Sequence, residues 1–150
     1  MAVDYRRPPE HPYPTPVDDC LSAYLFLLEK IGNPDQIVLA GDSAGGNLVL
    51  STLLRIAEHG FQSPAGAILL SPWVDLTDNG RLPSWDLYRK IDYLPADMAK
   101  LFAIAYLGEA GAIDPWAIDP NTSPLYSGAS QCSLFLFSCK YFHPSFLYLY

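Results

Sequence analysis

Gly41-Asp42-Ser43-Ala44-Gly45 stands between an apolar run, Ile37 to Ala40, and an apolar-periodic segment, Leu48 to Ile56. A short apolar run followed by a glycine-flanked serine and then helical periodicity is the sequence context of a strand-to-helix turn with Ser43 at its apex, a nucleophile elbow. Such a turn bends the backbone sharply, so glycines are expected where a Cβ would collide with the neighbouring strand or helix. The helix that starts there leaves its first N–H groups without intrahelical acceptors, and the N–H of Ala44 is the natural first donor of an oxyanion hole. Acyl transfer at Ser43 is the chemistry this pattern suggests. The competing reading is a glycine-rich turn in another parallel α/β domain, with Ser43 only an N-cap that accepts a backbone N–H.

Working outward, Thr15-Pro16-Val17-Asp18 predicts a helix start, with Thr15 as N-cap and Pro16 at the first helical position. Apolar residues at Val17, Cys20, Leu21, Tyr24, Leu27, Leu28 and Ile31 then recur at three and four, and Gly32 with Asn33-Pro34 ends the helix. Gln36 to Ala40 predicts a strand buried on both faces. A helix is expected from Ala44 to about His59, closed by Gly60, and Gly66 to Leu70 reads as a second parallel strand. Residues 73 to 94 have no clear period. A further helix is predicted from Pro95 to Leu107, stopped by Gly108, followed by a loop at Asp114-Pro115 and Asp119-Pro120.

A chain of 150 residues, half of them hydrophobic and 17% charged, suits one α/β domain with a buried core. The formal charge of −7 offers no basic stripe, which argues against nucleic acid or an anionic membrane as partner and for small-molecule chemistry. The N-terminus carries no signal-like apolar stretch and no run of about 18 apolar residues occurs, so the expectation is a cytoplasmic protein without a stable membrane anchor. Three cysteines, Cys20, Cys132 and Cys139, are an odd number without metal-ligand spacing and read as buried thiols. No cofactor is expected: the glycines of the elbow lack both the P-loop lysine and the dinucleotide spacing.

Beyond the elbow, Tyr5-Arg6, Pro9-Glu10-His11-Pro12-Tyr13-Pro14 and Asp19 precede the serine. Gly41-Asp42-Ser43-Ala44-Gly45-Gly46-Asn47-Leu48, Ser71-Pro72-Trp73-Val74-Asp75-Leu76, Tyr93-Leu94 and Ser123-Pro124-Leu125-Tyr126 follow in order. In this order the segments resemble the hormone-sensitive-lipase-like branch of the α/β-hydrolases, from about residue 3 to 126. The resemblance implies a partial α/β-hydrolase fold, truncated at both ends, and a carboxylic-ester hydrolase with Ser43 as nucleophile, Ala44 as oxyanion donor, and Gly41, Asp42, Gly45 and Gly46 completing the elbow. It also implies that Asp42, Glu10 and Asp19 are backbone or charge partners near the elbow. The substrate would be a small ester.

The rest of the family's machinery has no match. An α/β-hydrolase triad runs Ser, then Asp or Glu, then His, yet His11 precedes Ser43, His59 sits at a helix end where it can cap carbonyls, and His143 lies in Tyr141-Phe142-His143-Pro144 with no acid after Asp119 to orient it. Asp75 matches a family position other than the triad acid, while Asp78, Asp86, Asp92, Asp97, Asp114 and Asp119 read as loop or helix-start residues. The family's His-Gly-Gly-Gly loop has no counterpart. Losing an oxyanion donor costs about 10² to 10³ in rate and losing the base on the order of 10⁶, so this chain is expected to be inactive by itself; with only two clear strands of a sheet that the family builds much larger, its unpaired apolar edges and faces also predict poor solubility. An alternative is a non-catalytic small-ligand-binding relative.

Residues 127–150 change character: Lys140 is the one charge, and seven of the chain's 20 aromatic residues fall there. Ser, Phe, Leu, Cys, Tyr and Pro are encoded by pyrimidine-rich codons, so the segment reads as an aberrant apolar tail from intron read-through or a shifted frame. The alternative is a genuine strand over Leu134 to Ser138.

Overall fold

Proline density governs the first 14 residues: Pro8, Pro9, Pro12 and Pro14 withhold backbone donors, and the lead-in is irregular until the chain can form its first helix. In a computed structural model that describes residues 1–77, 87–88, 90–108 and 121–127, helix α1 spans Thr15–Ile31. The N-cap is Pro14, not Thr15, which is already helical; the Pro14 carbonyl takes the N–H groups of Val17 and Asp18, both at 3.0 Å, so no side-chain cap is used. Gly32 closes α1 at φ 72°, its N–H bonded to the Leu28 carbonyl at 2.7 Å, a left-handed stop that glycine adopts without a Cβ penalty.

A 3₁₀ turn over Pro34–Gln36 leads into strand β1, Val38–Asp42, followed by helix α2, Ala44–Glu58, and strand β2, Gly66–Leu70. The predicted first strand is therefore displaced: Gln36 belongs to the 3₁₀ turn, where Asn33 Oδ1 accepts from Asp35 N at 3.0 Å, and the strand continues through Gly41 and Asp42. β1 and β2 pair in parallel, Val38 beside Gly66 through Asp42 beside Leu70. The strand–helix–strand order with a parallel pair is the βαβ unit expected from the sequence.

Both helices cover one face of this sheet. Tyr24 of α1, Ile37, Val49, Leu53 and Ile56 of α2, and Ala67 and Leu69 of β2 form the buried core, with Leu21, Leu25, Leu28 and Leu39 packed around it. The Tyr24 hydroxyl donates to the Gln62 carbonyl, so the polar end of this ring is satisfied while the ring is buried. The opposite face is bare: Val38 is 53% exposed, Ile68 40% and Leu70 45%. Burial of β1 on both faces is thus corrected to burial on one, because among the described residues no element packs on the other side.

Helix α3, Ala96–Leu107, ends at Gly108 with φ 64° and docks on the lead-in. Tyr13 N donates to the Tyr106 carbonyl at 2.7 Å, and the two tyrosine rings lie 5.8 Å apart. A last 3₁₀ turn spans Pro124–Tyr126. The Asp114-Pro115 and Asp119-Pro120 loop, Cys132, Cys139, the tail from 128 onward and the alternative strand over Leu134 to Ser138 lie outside the described residues. Cys20 is a half-buried free thiol, pushed up to about 11 by burial and by neighbouring Asp19.

Candidate active site

Ser43 sits between the end of β1 and the start of α2 with φ 50° and ψ −115°, in a backbone region that side chains other than glycine rarely occupy. Local contacts hold it there. Its N–H donates to the Leu70 carbonyl at 2.9 Å, tying the turn to the end of β2, and its carbonyl accepts both Asn47 N at 3.1 Å and Trp73 N at 3.0 Å. The side chain makes no cap hydrogen bond to the helix it precedes, which removes the reading of Ser43 as an ordinary N-cap. Ser43 is exposed and borders a cavity of about 520 Å³.

Two of the elbow glycines are sterically required. A Cβ on Gly41 would strike the Gly45 carbonyl and lie 2.8 Å from Gly46 N, and a Cβ on Gly46 would lie 2.7 Å from Pro72 Cβ. Gly45 differs: a Cβ there would meet no described atom within 4 Å, so the expectation of collision fails at this glycine. Gly41 lets strand and helix approach, and Gly46 lets α2 pass the chain leaving β2.

The cavity wall comes from five places. The elbow gives Ser43, Ala44, Asn47 and Leu48; the segment after β2 gives Ser71, Trp73 and Leu76; Tyr93, Leu94, Ala99, Phe102, Ala105 and Tyr106 come from α3 and its approach; the lead-in adds Tyr5, Arg7 and Pro8, and the first turn of α1 adds Pro16. Most of these side chains are apolar, and Arg7, the one formal charge among them, pairs with Asp4 at 2.9 Å. A largely apolar cleft of this kind suits an uncharged organic ligand.

Beneath the elbow lies a polar clamp for which the sequence offered motifs but no roles. Asn47, 3% exposed, donates from Nδ2 to the Trp73 carbonyl at 2.8 Å and to the Thr122 carbonyl at 2.9 Å. Ser51 Oγ lies 3.3 Å from Asn47 Oδ1 and donates to the Asn121 carbonyl at 2.8 Å. Leu76 N donates to Ser123 Oγ at 3.1 Å and Leu125 N to the Val74 carbonyl at 3.1 Å. Asp75 accepts Thr77 N, Thr77 Oγ1 and the Tyr126 hydroxyl at 2.8, 2.6 and 2.9 Å. Asp75 is therefore a structural acceptor within the clamp.

Asp19 is the charge partner of Arg6, and no hydrogen bond or ion pair among the described residues ties it to the elbow. Its carboxylate takes the Arg6 guanidinium at 2.7 and 3.0 Å and the Arg6 backbone N–H at 2.9 Å, and these hydrogen bonds, side-chain ones first, hold its carboxyl down at about 2. Asp42, at the exposed end of β1, and Glu10 make no side-chain ion pair among the described residues. His59 closes α2 with Nδ1 2.8 Å from the Arg55 carbonyl. At about 1.5 Å per residue, the 15 residues of α2 place it roughly 20 Å from Ser43. His11 lies in the lead-in near Asp19 and does not border the cavity. Asp92 Oδ1 accepts Leu94 N at 2.9 Å, and Asp97 occupies the first turn of α3. Asp78, Asp86, Asp114, Asp119 and His143 lie outside the described residues. Among the described residues no group of His, Cys, Asp or Glu could hold a metal ion, and no helix is long and apolar enough to cross a membrane.

A parallel strand–helix–strand unit with a strained serine at the first strand's end and an apolar cleft above it is the architecture of an α/β-hydrolase. The family model described as alpha/beta hydrolase fold matches residues 1–141, and the chain belongs to this family, in its hormone-sensitive-lipase-like branch. It is similar to an acetyl-hydrolase of Streptomyces hygroscopicus, 40% identical over 101 residues that make up 67% of this chain and 34% of that protein. It is also similar to lipase 2 of a Moraxella species, 32% identical over 85% of this chain and 34% of the other. The crystal structure of an esterase from the bacterial hormone-sensitive lipase family superposes with a TM-score of 0.75 at 36% identity, covering 90% of this chain and 43% of that one. The chain thus spans between a third and somewhat under half of the length of these relatives.

Proposed function

We propose that this chain carries the nucleophile segment of a carboxylic-ester hydrolase, with Ser43 as the attacking residue. The observation that carries the proposal is the backbone of Ser43: a costly positive φ, held by hydrogen bonds on both sides, presents a hydroxyl that caps nothing to an apolar cleft at a helix N-terminus. In the reaction Ser43 Oγ forms a bond to the ester carbonyl carbon while its proton passes to a base. The Ala44 N–H supports the oxyanion, the C–O bond to the alcohol breaks with the alkoxide protonated, and water then releases the acid and restores the serine. Gly41 and Gly46 permit the close approach that aims Oγ, and Asp42 and Gly45 complete the elbow. The relatives' names, acetyl-hydrolase, esterase and lipase, support an ester as substrate.

The described residues offer Ser43 neither an imidazole nor a carboxylate to orient one, and this specific observation keeps a second reading in view: a relative that binds small ligands in the cleft without turning them over. One experiment separates the two. Imidazole in solution supplies the missing proton acceptor, and an alkyl fluorophosphonate supplies an electrophile: the Oγ–P bond forms, fluoride leaves, and the proton goes to imidazole. Mass spectrometry of the 150-residue chain is expected to find the adduct on Ser43 ahead of every other serine, and Ser43→Ala is expected to abolish it. A chain that retains a fluorescent short-chain ester while Ser43 labels no faster than the surface residue Ser22 would favour the binding protein.

A further inference from the structure

The Ser43 carbonyl and the Ala44 N–H belong to one planar peptide group, and in a trans peptide they point in opposite directions. Two donors fix that carbonyl, Asn47 N at 3.1 Å and Trp73 N at 3.0 Å, and whatever fixes it also aims the Ala44 N–H away from them. Trp73 is itself held from its other side, because Asn47 Nδ2 donates to the Trp73 carbonyl at 2.8 Å. The same nitrogen donates its second proton to the Thr122 carbonyl at 2.9 Å, so both N–H bonds of a nearly buried amide are used on backbone carbonyls 26 and 75 residues away in sequence. Asn47 thus touches the peptide that follows Ser43 twice, directly through its backbone and indirectly through Trp73.

We infer that Asn47 is a positioning residue: its side-chain amide holds the chain at Trp73 so that the peptide between Ser43 and Ala44 keeps the orientation in which the Ala44 N–H serves a developing oxyanion. The inference rests on the reading of Ser43 as nucleophile. Residue type follows from the task. Two backbone carbonyls must be bridged by one group with two N–H bonds, which Asn supplies at this reach and Asp, Ser or Leu does not. Asn47→Asp keeps the shape but turns a carboxylate oxygen on a carbonyl in place of the NH₂ group. Asn47→Ala removes the bridge.

The test measures fluorophosphonate labelling of Ser43 in the 150-residue chain at fixed imidazole, as a function of probe concentration, with backbone hydrogen exchange of the β1 and β2 peptides as the control for folding. Both variants are expected to lower the maximal labelling rate about 10- to 100-fold, less than the loss of the donor itself because the Ala44 N–H is displaced and not removed, with half-saturation and strand protection unchanged. A purely packing role would instead move half-saturation or protection. Wild-type labelling at Ser43 with unaltered maximal rates in both variants would overturn the inference and leave the nucleophile reading standing, whereas absence of wild-type labelling at Ser43 would overturn that reading itself. Loss of strand protection in both variants would make Asn47 a residue that holds the fold together and would also overturn the positioning role.

Discussion

The two faces of the β1–β2 sheet are made from the same ten residues and have opposite fates. Toward α1 and α2, Leu39, Ala67 and Leu69 are packed in the core; toward the other side, Val38, Ile68 and Leu70 are exposed although they are as apolar. The side chains alternate as a pleated strand requires, so what distinguishes the faces is cover, not composition. Burial is a property of what packs on a strand, and a strand's own sequence records only that both faces could be buried. The elbow lies at the end of this sheet and is anchored by backbone hydrogen bonds, to Leu70 of β2 and to Asn47 and Trp73, which do not depend on what covers the outer face.

The strongest way to break the anchored side is Gly41→Ala. Its Cβ would meet the Gly45 carbonyl, which is backbone and cannot swing aside, so a loss of about 4 kcal/mol or more is expected, among the largest single-residue penalties. Limited proteolysis in increasing urea would show it, and Gly45→Ala, with open space at its Cβ, should differ from the wild type by less than about 1 kcal/mol. Equal effects at the two glycines would mean that the elbow relaxes around its side chains.

A neighbouring pair sharpens the contrast between the faces. Leu69→Ala, at a side chain 1% exposed, should cost about 2 to 4 kcal/mol by the same assay, whereas Ile68→Thr, one residue along and on the bare face, should cost under about 1 kcal/mol and raise the soluble fraction, measured by light scattering. Equal costs would show that the outer face is covered in solution.

The smallest effect concerns the Arg6–Asp19 pair. Asp19 has a folded pKa of about 2, below its ordinary value of 3.8, so its contribution is present above about pH 4 and is lost as pH falls toward 2. The pair is surface-exposed, so solvent screens it and its small contribution should shrink with salt. Asp19→Asn should flatten the acid limb of a stability-against-pH curve between pH 4 and 2.

Much of this was legible from residue order. The three- and four-residue recurrence from Val17 to Ile31 gave α1 within a residue or two, and the glycines at 32, 60 and 108 stand at or just past the ends of three helices, each at positive φ. Ser43 stood out because glycine spacing next to a change of periodicity is a local signal. Its clamp was not legible in the same way: Asn47 and Thr122 are 75 residues apart, and a side-chain amide that bridges two backbone carbonyls leaves no period behind. The start of β1 was misplaced because Gln36 and Ile37 follow a proline turn whose Asx bond at Asn33 delays the strand.

One feature of the clamp bears on how such a protein can change. Leu125 N meets the Val74 carbonyl and the Tyr126 hydroxyl meets Asp75, so two segments 51 residues apart in sequence are joined at one doorway. Helix α3 lies in the chain between these two meeting points and furnishes much of the cleft's wall. Lengthening a closed loop costs little, roughly 0.6 kcal/mol per doubling. Evolution, or an engineer, can therefore change the length of chain between the two meeting points, and with it the wall of the cleft, while the strand, the serine and the glycines behind the doorway stay as they are.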